Sequence, residues 1–339
     1  MLNRDDRPAA AATFHAALVK ERFHGVVAAT RGGRTWFEYA GGWSNPLAAP
    51  HDRRSNRIDT RFGAGSVSKM FTAVCLARLV DAGLCRFDQP LVGILPHLAS
   101  HFGREMTLAA LLSHRSGLGD YIDDDAELPF AGLDVARLDS PQAFLPLVLQ
   151  VPRHPPGSYR YSSAGYILLG LAIEALTGES FPTAMARWVT EPAGLRATGF
   201  PPYDVAPADM AAGVLPDGRS NVGHLPRRGG PDGGIVTSVQ DVQRFFRYLD
   251  PAVRFLSDAS REFLWRETSR IDERRAYGHG FVILTEREQT WYGHTGSDPG
   301  FSARVALSSD RMASIVVLSN TSSGAFAVFR RVLELGNVL

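Results

Sequence analysis

A serine followed three residues later by a lysine, Ser66-Val67-Ser68-Lys69, is the smallest arrangement in this 339-residue chain that could perform covalent chemistry. A serine hydroxyl is a weak nucleophile near neutral pH and needs a neighbouring base. Residues i and i+3 of a helix share one face, so a helix starting near Ser66 lets Lys69 reach the hydroxyl. Lysine accepts a proton only as the neutral amine, a form that partial burial and the positive end of a helix favour. Arginine stays protonated and cannot substitute. The choice is pointed, because the 36 basic residues include only two lysines, Lys20 and Lys69. Lys20 closes a predicted helix, where the dipole favours a cation. With 25 serines in the chain, chance alone gives roughly 0.15 such pairs, so the motif needs support from elsewhere.

Two other segments supply it. A Pro156-Gly157 turn leads into Tyr161-Ser162-Ser163 at a predicted helix start. A tyrosine there can relay a proton between nucleophile and leaving group if neighbouring cations favour its phenolate; the plainer alternative is a tyrosine capping the core. Tyr292-Gly293-His294-Thr295-Gly296-Ser297 ends a predicted strand. An exposed strand edge beside a nucleophile can align an extended substrate and lend a backbone N–H to an oxyanion hole. The glycines leave room for close approach.

The elements that must hold these residues are legible in outline. Apolar spacing predicts helices over 9–20, Ser66–Ala82 and Ala164–Thr177, the last two stopped by Gly83 and Gly178. Ser238 with Asp241 reads as a capping box opening another helix, and a final helix is expected from Gly324 to Leu335. Strands are expected at Gly25–Thr30 and Arg34–Ala40, joined through Gly32-Gly33, and at Gly280–Thr285, Thr290–His294, Phe301–Ser308 and Ala313–Ser319. Residues 84–230 are helical and rich in loops. The predicted class is α+β: an antiparallel sheet formed by the N- and C-terminal parts and flanked by helices, with a mainly helical subdomain inserted. The sheet part covers about 1–65 and 236–339, the helical part about 66–235, and 1–339 forms a single catalytic unit.

Together, Ser66-x-x-Lys69, Tyr161-Ser162-Ser163 and His294-Thr295-Gly296 stand in the order and approximate spacing of the serine β-lactamase and penicillin-binding-protein superfamily. The chain resembles its class C-like branch, which holds β-lactamases, D-stereospecific peptidases and carboxylesterases. Thr60-Arg61-Phe62 before the nucleophile, Leu111 to Leu118, Gly233-Gly234, Tyr277 to Phe281 and Gly300-Phe301 extend the likeness through most of the chain. The resemblance implies a β-lactamase/transpeptidase-like fold in which Ser66 is acylated, Lys69 holds and deprotonates it, and Tyr161 shuttles the proton. It implies an oxyanion hole from the backbone N–H groups of Ser66 and Ser297, and substrate-binding positions at Ser163, His294, Thr295 and Gly296. Lys69 and Tyr161 both stay open as general base. Two departures narrow the substrate. Ser163 stands where many relatives carry asparagine, and a hydroxyl reaches less far than an amide. His294 stands where many carry lysine, which removes a permanent cation facing a substrate carboxylate. Carboxylic esters are therefore expected first, then D-amino-acid amides or peptides, then β-lactams. A catalytically weak member that binds a ligand or assembles is the reading from another class.

Composition excludes other functions. A formal net charge of +1 gives no electrostatic footprint for nucleic acid or an anionic membrane. No apolar run reaches the roughly 18–20 residues that span a bilayer. The charged first residues lack the apolar run of a secretory signal, and a cytoplasmic enzyme is expected. There is no Gly-x-Ser-x-Gly elbow and no His-Glu-x-x-His, and Cys75 and Cys85 do not suggest zinc. Cys75 reads as a buried thiol. No metal or cofactor is expected, and the expected partner is a small-molecule acyl substrate. Arg227 to Gly234 lacks the Gly-Lys-Ser/Thr of a phosphate loop and reads as a turn beside the site. Asp123-Asp124-Asp125 reads as a solvated loop, with attraction of a cationic substrate as the alternative.

Overall fold

The structure is a computed structural model that describes residues 7–123, 126 and 128–336. Asp124 and Asp125 of the acidic run lie outside the described residues, and Asp123 is exposed.

Near-continuous apolar runs make strands that are covered on both faces. Gly25–Arg31 (β1) and Ala313–Ser319 (β10) are such runs, and they pair antiparallel from Gly25↔Ser319 to Arg31↔Ala313. The two ends of the chain are thereby joined in one sheet. Arg34–Gly41 (β2) flanks β1 on the outside. Beyond β10 follow Phe301–Ser308 (β9), Gln289–Asp298 (β8), Val282–Glu286 (β7), Arg275–Tyr277 (β6) and Ser269–Arg270 (β5). The order across the eight strands is β2-β1-β10-β9-β8-β7-β6-β5, with every pairing antiparallel.

Three expectations change here. The strand predicted over Thr290–His294 runs on to Asp298, so Thr295 to Ser297 lie inside a strand and not in a turn after it. The strand predicted from Gly280 begins at Val282. Strands β5 and β6 were not expected, because two or three residues are too short to show a period.

Helices cover both faces. Arg7–Lys20 (α1) and Gly324–Gly336 (α9) close one face around Phe14, Leu18, Phe37, Ile315, Val317 and Phe329. The other face carries Ser68–Asp81 (α2), Leu108–Leu112 (α3), Pro141–Val148 (α4), Ser163–Thr177 (α5), Phe181–Met185 (α6), Val239–Tyr248 (α7) and Asp258–Trp265 (α8). A helix that is apolar all round belongs in a core. Helix α2 lies in the core without being apolar all round: 11 of its 14 residues are buried, Ser68, Lys69 and Thr72 among them, and so is the free thiol Cys75. Its buried polar side chains must therefore find partners inside the protein.

Phe62–Gly63 (β3) pairs with Val236–Thr237 (β4), so the chain enters and leaves its helical stretch side by side. Ser238 caps α7 by accepting from the Asp241 N–H at 3.3 Å. The reciprocal half of the predicted box does not form. The Asp241 carboxylate instead accepts from Ala197 N at 2.7 Å and Thr198 Oγ1 at 2.9 Å, drawn to a neighbouring loop.

Candidate active site

Ser66 does not sit in α2 but in a 3₁₀ turn, Gly65–Val67, that feeds directly into it. In a 3₁₀ turn the side chains at i and i+3 eclipse, which places Lys69 over Ser66. Lys69 Nζ lies 3.0 Å from Ser66 Oγ, 3.1 Å from Ser163 Oγ and 2.5 Å from the Asp232 carbonyl oxygen. Lys69 is fully buried while Ser66 is half-exposed, so the amine is sealed below a reachable hydroxyl.

The Tyr161 segment is held by the turn after α3. His114 occupies the left-handed region at φ 56°, a position that usually favours glycine. Its side chain supplies the reason for a non-glycine residue there, since Nδ1 accepts from the Ser162 N–H at 3.1 Å. Ser162 caps α5, and Asp120 accepts from Ser163 N at 2.6 Å and Ala164 N at 3.1 Å. A carboxylate at a helix N-terminus is favoured by the dipole. The Tyr161 ring centroid lies 4.8 Å from Lys69 Nζ and 4.3 Å from the His114 ring. Burial, followed by the charge of Lys69, pushes His114 well below the ordinary histidine range, so the ring is neutral.

Strand β8 closes the other side. Its half from His294 to Asp298 pairs with β9, while its pairing with β7 stops at Gly293↔Val282. His294 is not presented as a cation. It is 4% exposed, with Nδ1 2.7 Å from the Thr295 carbonyl and Nε2 3.1 Å from Tyr277 Oη. Burial and then Lys69 push its pKa down to about 3. Thr295 is half-exposed on the alternate face of the strand. Gly296 and Gly65 allow strand and nucleophile turn to touch. A Cβ on Gly296 would fall 1.9 Å from the Ala64 carbonyl oxygen, and one on Gly65, at φ 50°, would fall 2.8 Å from Ser297 N. The Ser297 N–H thus lies against the turn that carries Ser66.

The glycine-rich run gives the site its fourth wall, a tight and closely bonded one. Gly234 N donates to Gly65 O at 3.1 Å, Ile235 N to Ser68 Oγ at 2.8 Å, and Thr72 Oγ1 to Pro231 O at 2.7 Å. With the Lys69–Asp232 contact, these bonds give partners to the buried Ser68, Lys69 and Thr72 side chains of α2. The cavity above Ser66 is lined by Ile122, Phe130, Phe144 and Leu225, together with Arg228, Asp232 and Asp298. Asp120 escaped the sequence reading, and His114 and Asp232 lay in segments it named, Leu111 to Leu118 and Arg227 to Gly234, without a role of their own, because each acts across a long sequence separation.

The sequence model of the Beta-lactamase family matches residues 10–336. The chain belongs to that family. It is accordingly a serine hydrolase, with relatives of more than one name. Penicillin-binding protein 4 of Amycolatopsis lactamdurans is 32% identical over 308 residues, which cover 83% of this chain and 78% of that protein. Esterase EstB of Burkholderia gladioli is 29% identical over 309 residues, covering 81% and 78% respectively. A solved penicillin-binding protein from Bacillus halodurans matches with a TM-score of 0.85 at 28% identity, over 95% of this chain and 99% of that one. The β-lactamase/transpeptidase-like fold is shared along nearly the whole chain.

Proposed function

We propose that this member of the family hydrolyses small carboxylic esters through an acyl-enzyme on Ser66. The observation that carries the reading is the buried Lys69 Nζ, 3.0 Å from the Ser66 hydroxyl. Once it gives up a proton, the Lys69 amine keeps two N–H groups, which the Asp232 carbonyl and the Ser163 hydroxyl can accept, and has one lone pair for the Ser66 proton. Ser66 Oγ then attacks the ester carbonyl carbon as its proton passes to Nζ. The tetrahedral oxyanion is held by the backbone N–H groups of Ser66 and Ser297. It collapses by breaking the bond to the leaving alkoxide, which takes its proton through the Tyr161 phenol. Water attacks the acyl-enzyme by the reverse relay, releasing the acid and restoring Ser66. Ser163, committed to Lys69 at 3.1 Å, orients the amine as well as bordering the substrate.

Esters lead the substrate ranking for two reasons. A neutral, buried His294 offers no cation to a substrate carboxylate, and one relative is named an esterase. D-amino-acid amides follow, and β-lactams come last. The deciding measurement is a panel of p-nitrophenyl esters of graded length, a chromogenic cephalosporin and D-alanine p-nitroanilide, run on wild type and Ser66→Ala. Ester turnover and fluorophosphonate labelling are expected in wild type, with both lost in the variant. Fast cephalosporin turnover with little ester hydrolysis overturns the ranking. Equal behaviour of the two proteins overturns the acyl-enzyme itself.

A further inference from the structure

We propose that the groove between α9 and the sheet binds a monocarboxylate with a linear apolar body, anchored by the guanidinium of Arg304. The site is separate from the Ser66 cavity and does not depend on which acyl group Ser66 carries.

Arg304 faces α9 because of its place in the sheet. It pairs with Val317 on β10 and with Thr295 on β8, and Val317 belongs to the core that α9 covers with Phe329. Neither cross-strand neighbour carries a charge. The nucleophile turn leads into α2, on the opposite face. Among the described residues, the Arg304 guanidinium forms no ion pair and no hydrogen bond. Its contact is with the Phe329 ring, whose centroid lies 5.2 Å from Cζ. A ring face attracts the cation but offers no oxygen atom to its N–H groups. Burial, and then the like charge of Arg275, act against the cation, yet arginine stays protonated. A partly buried cation without an acceptor is unfavourable, and an anion that enters the groove relieves it.

The rest of the groove defines that anion. Its volume is about 810 Å³. Arg274 pairs with Glu286 at 3.2 Å and Arg275 with Asp272 at 2.7 Å. Arg304 is left with Arg330 and Glu273, which are both exposed. Four arginines against three acids leave one positive charge in the lining, which suits a monoanion. The planar fork of an arginine matches the two oxygens of a carboxylate. Leu284, Phe326, Phe329 and Leu333 supply an apolar wall beside it. Leu284 and Phe326 are only partly buried, so this wall has surface left to cover a hydrocarbon chain.

Calorimetric titration of the wild-type protein with octanoate, acetate and octylammonium tests this. Octanoate is expected to bind one per chain, with acetate and octylammonium each weaker by at least about tenfold. Arg304→Met keeps an apolar stem against Phe329 and should weaken octanoate by at least about tenfold, the usual worth of a charge-assisted hydrogen bond. Phe326→Ser removes part of the wall without touching the guanidinium and should weaken octanoate by roughly threefold or more. Thermal melts establish that each variant folds, and Phe326→Ser carries the test if Arg304→Met does not. Absence of octanoate binding in wild type overturns the proposal, as does octylammonium binding as tightly as octanoate. Acetate binding as tightly as octanoate overturns the apolar body. Wild-type affinity for octanoate in either folded variant places the acid elsewhere, the Ser66 cavity included, and overturns the site.

Discussion

Lys69 is a buried residue whose amine meets three oxygen atoms, on Ser66, Ser163 and Asp232. A guanidinium at that position keeps the charge but is larger and cannot give up its proton. Lys69→Arg is therefore expected to lower kcat/KM for esters by at least ~10²-fold, within the usual range for loss of a general base. Ester kinetics check this, with a thermal melt to show that the variant folds; near-normal turnover would remove Lys69 as the base. Ser66 and Lys69 were legible in the sequence because their relation is local, three residues apart on one turn. The roles of Asp120, His114 and Asp232 were not. Asp120 reaches Ser163 across 43 positions, and Asp232 reaches Lys69 across 163, so neither spacing has a period to detect. His294 was read as removing a permanent cation, and the burial that keeps its ring neutral was not legible, because a strand residue's burial depends on what covers the strand.

At the scale of elements, the site depends on how closely β8 approaches the turn before α2. Gly296 is the contact point, where any side chain would strike the Ala64 carbonyl. Gly296→Ala is expected to push Ser297 away from Ser66 and cost on the order of 10²-fold in kcat, comparable to losing one oxyanion donor. Circular dichroism should show the sheet retained. Activity within threefold of wild type would mean that strand and turn do not need this proximity. Helices α2 and α5 could be read in advance because long apolar segments end at Gly83 and Gly178. The full length of β8 could not, since Thr295-Gly296-Ser297 looks like a turn unless β9 is known to run beside it.

For the whole molecule, three histidines are held neutral in the interior. Burial is the leading cause at each, pushing His114 well down, His279 to about 4 and His294 to about 3. The unfolded chain titrates its histidines near 6.5, so between that pH and these lowered values it binds more protons than the folded protein. Stability is thus complete above about pH 6.5 and is lost as pH falls toward 4. Asp232 works in the opposite direction, because its raised pKa lets the folded state take up a proton first. Three groups against one leave the histidines dominant. Urea midpoints measured from pH 7.5 to 4 should fall steadily. His279→Gln should flatten that slope, by up to ~3 kcal/mol across the window. A midpoint independent of pH over this range would contradict the neutral assignment.

The two-residue pairing of β3 with β4 has a consequence for how the nucleophile is placed. Phe62 and Gly63 leave the sheet half beside Thr237 and Val236, which return to it. The outgoing and returning chain therefore pass side by side, about one strand spacing apart. The segments that carry Ile122, Phe130 and Leu225 take no part in the register of β1 against β10, which pairs strands from the two ends of the chain. Ser66 follows Gly63 by three residues, so the nucleophile is held close to this pairing, while Ile122, Phe130 and Leu225 reach the cavity from segments further along the chain.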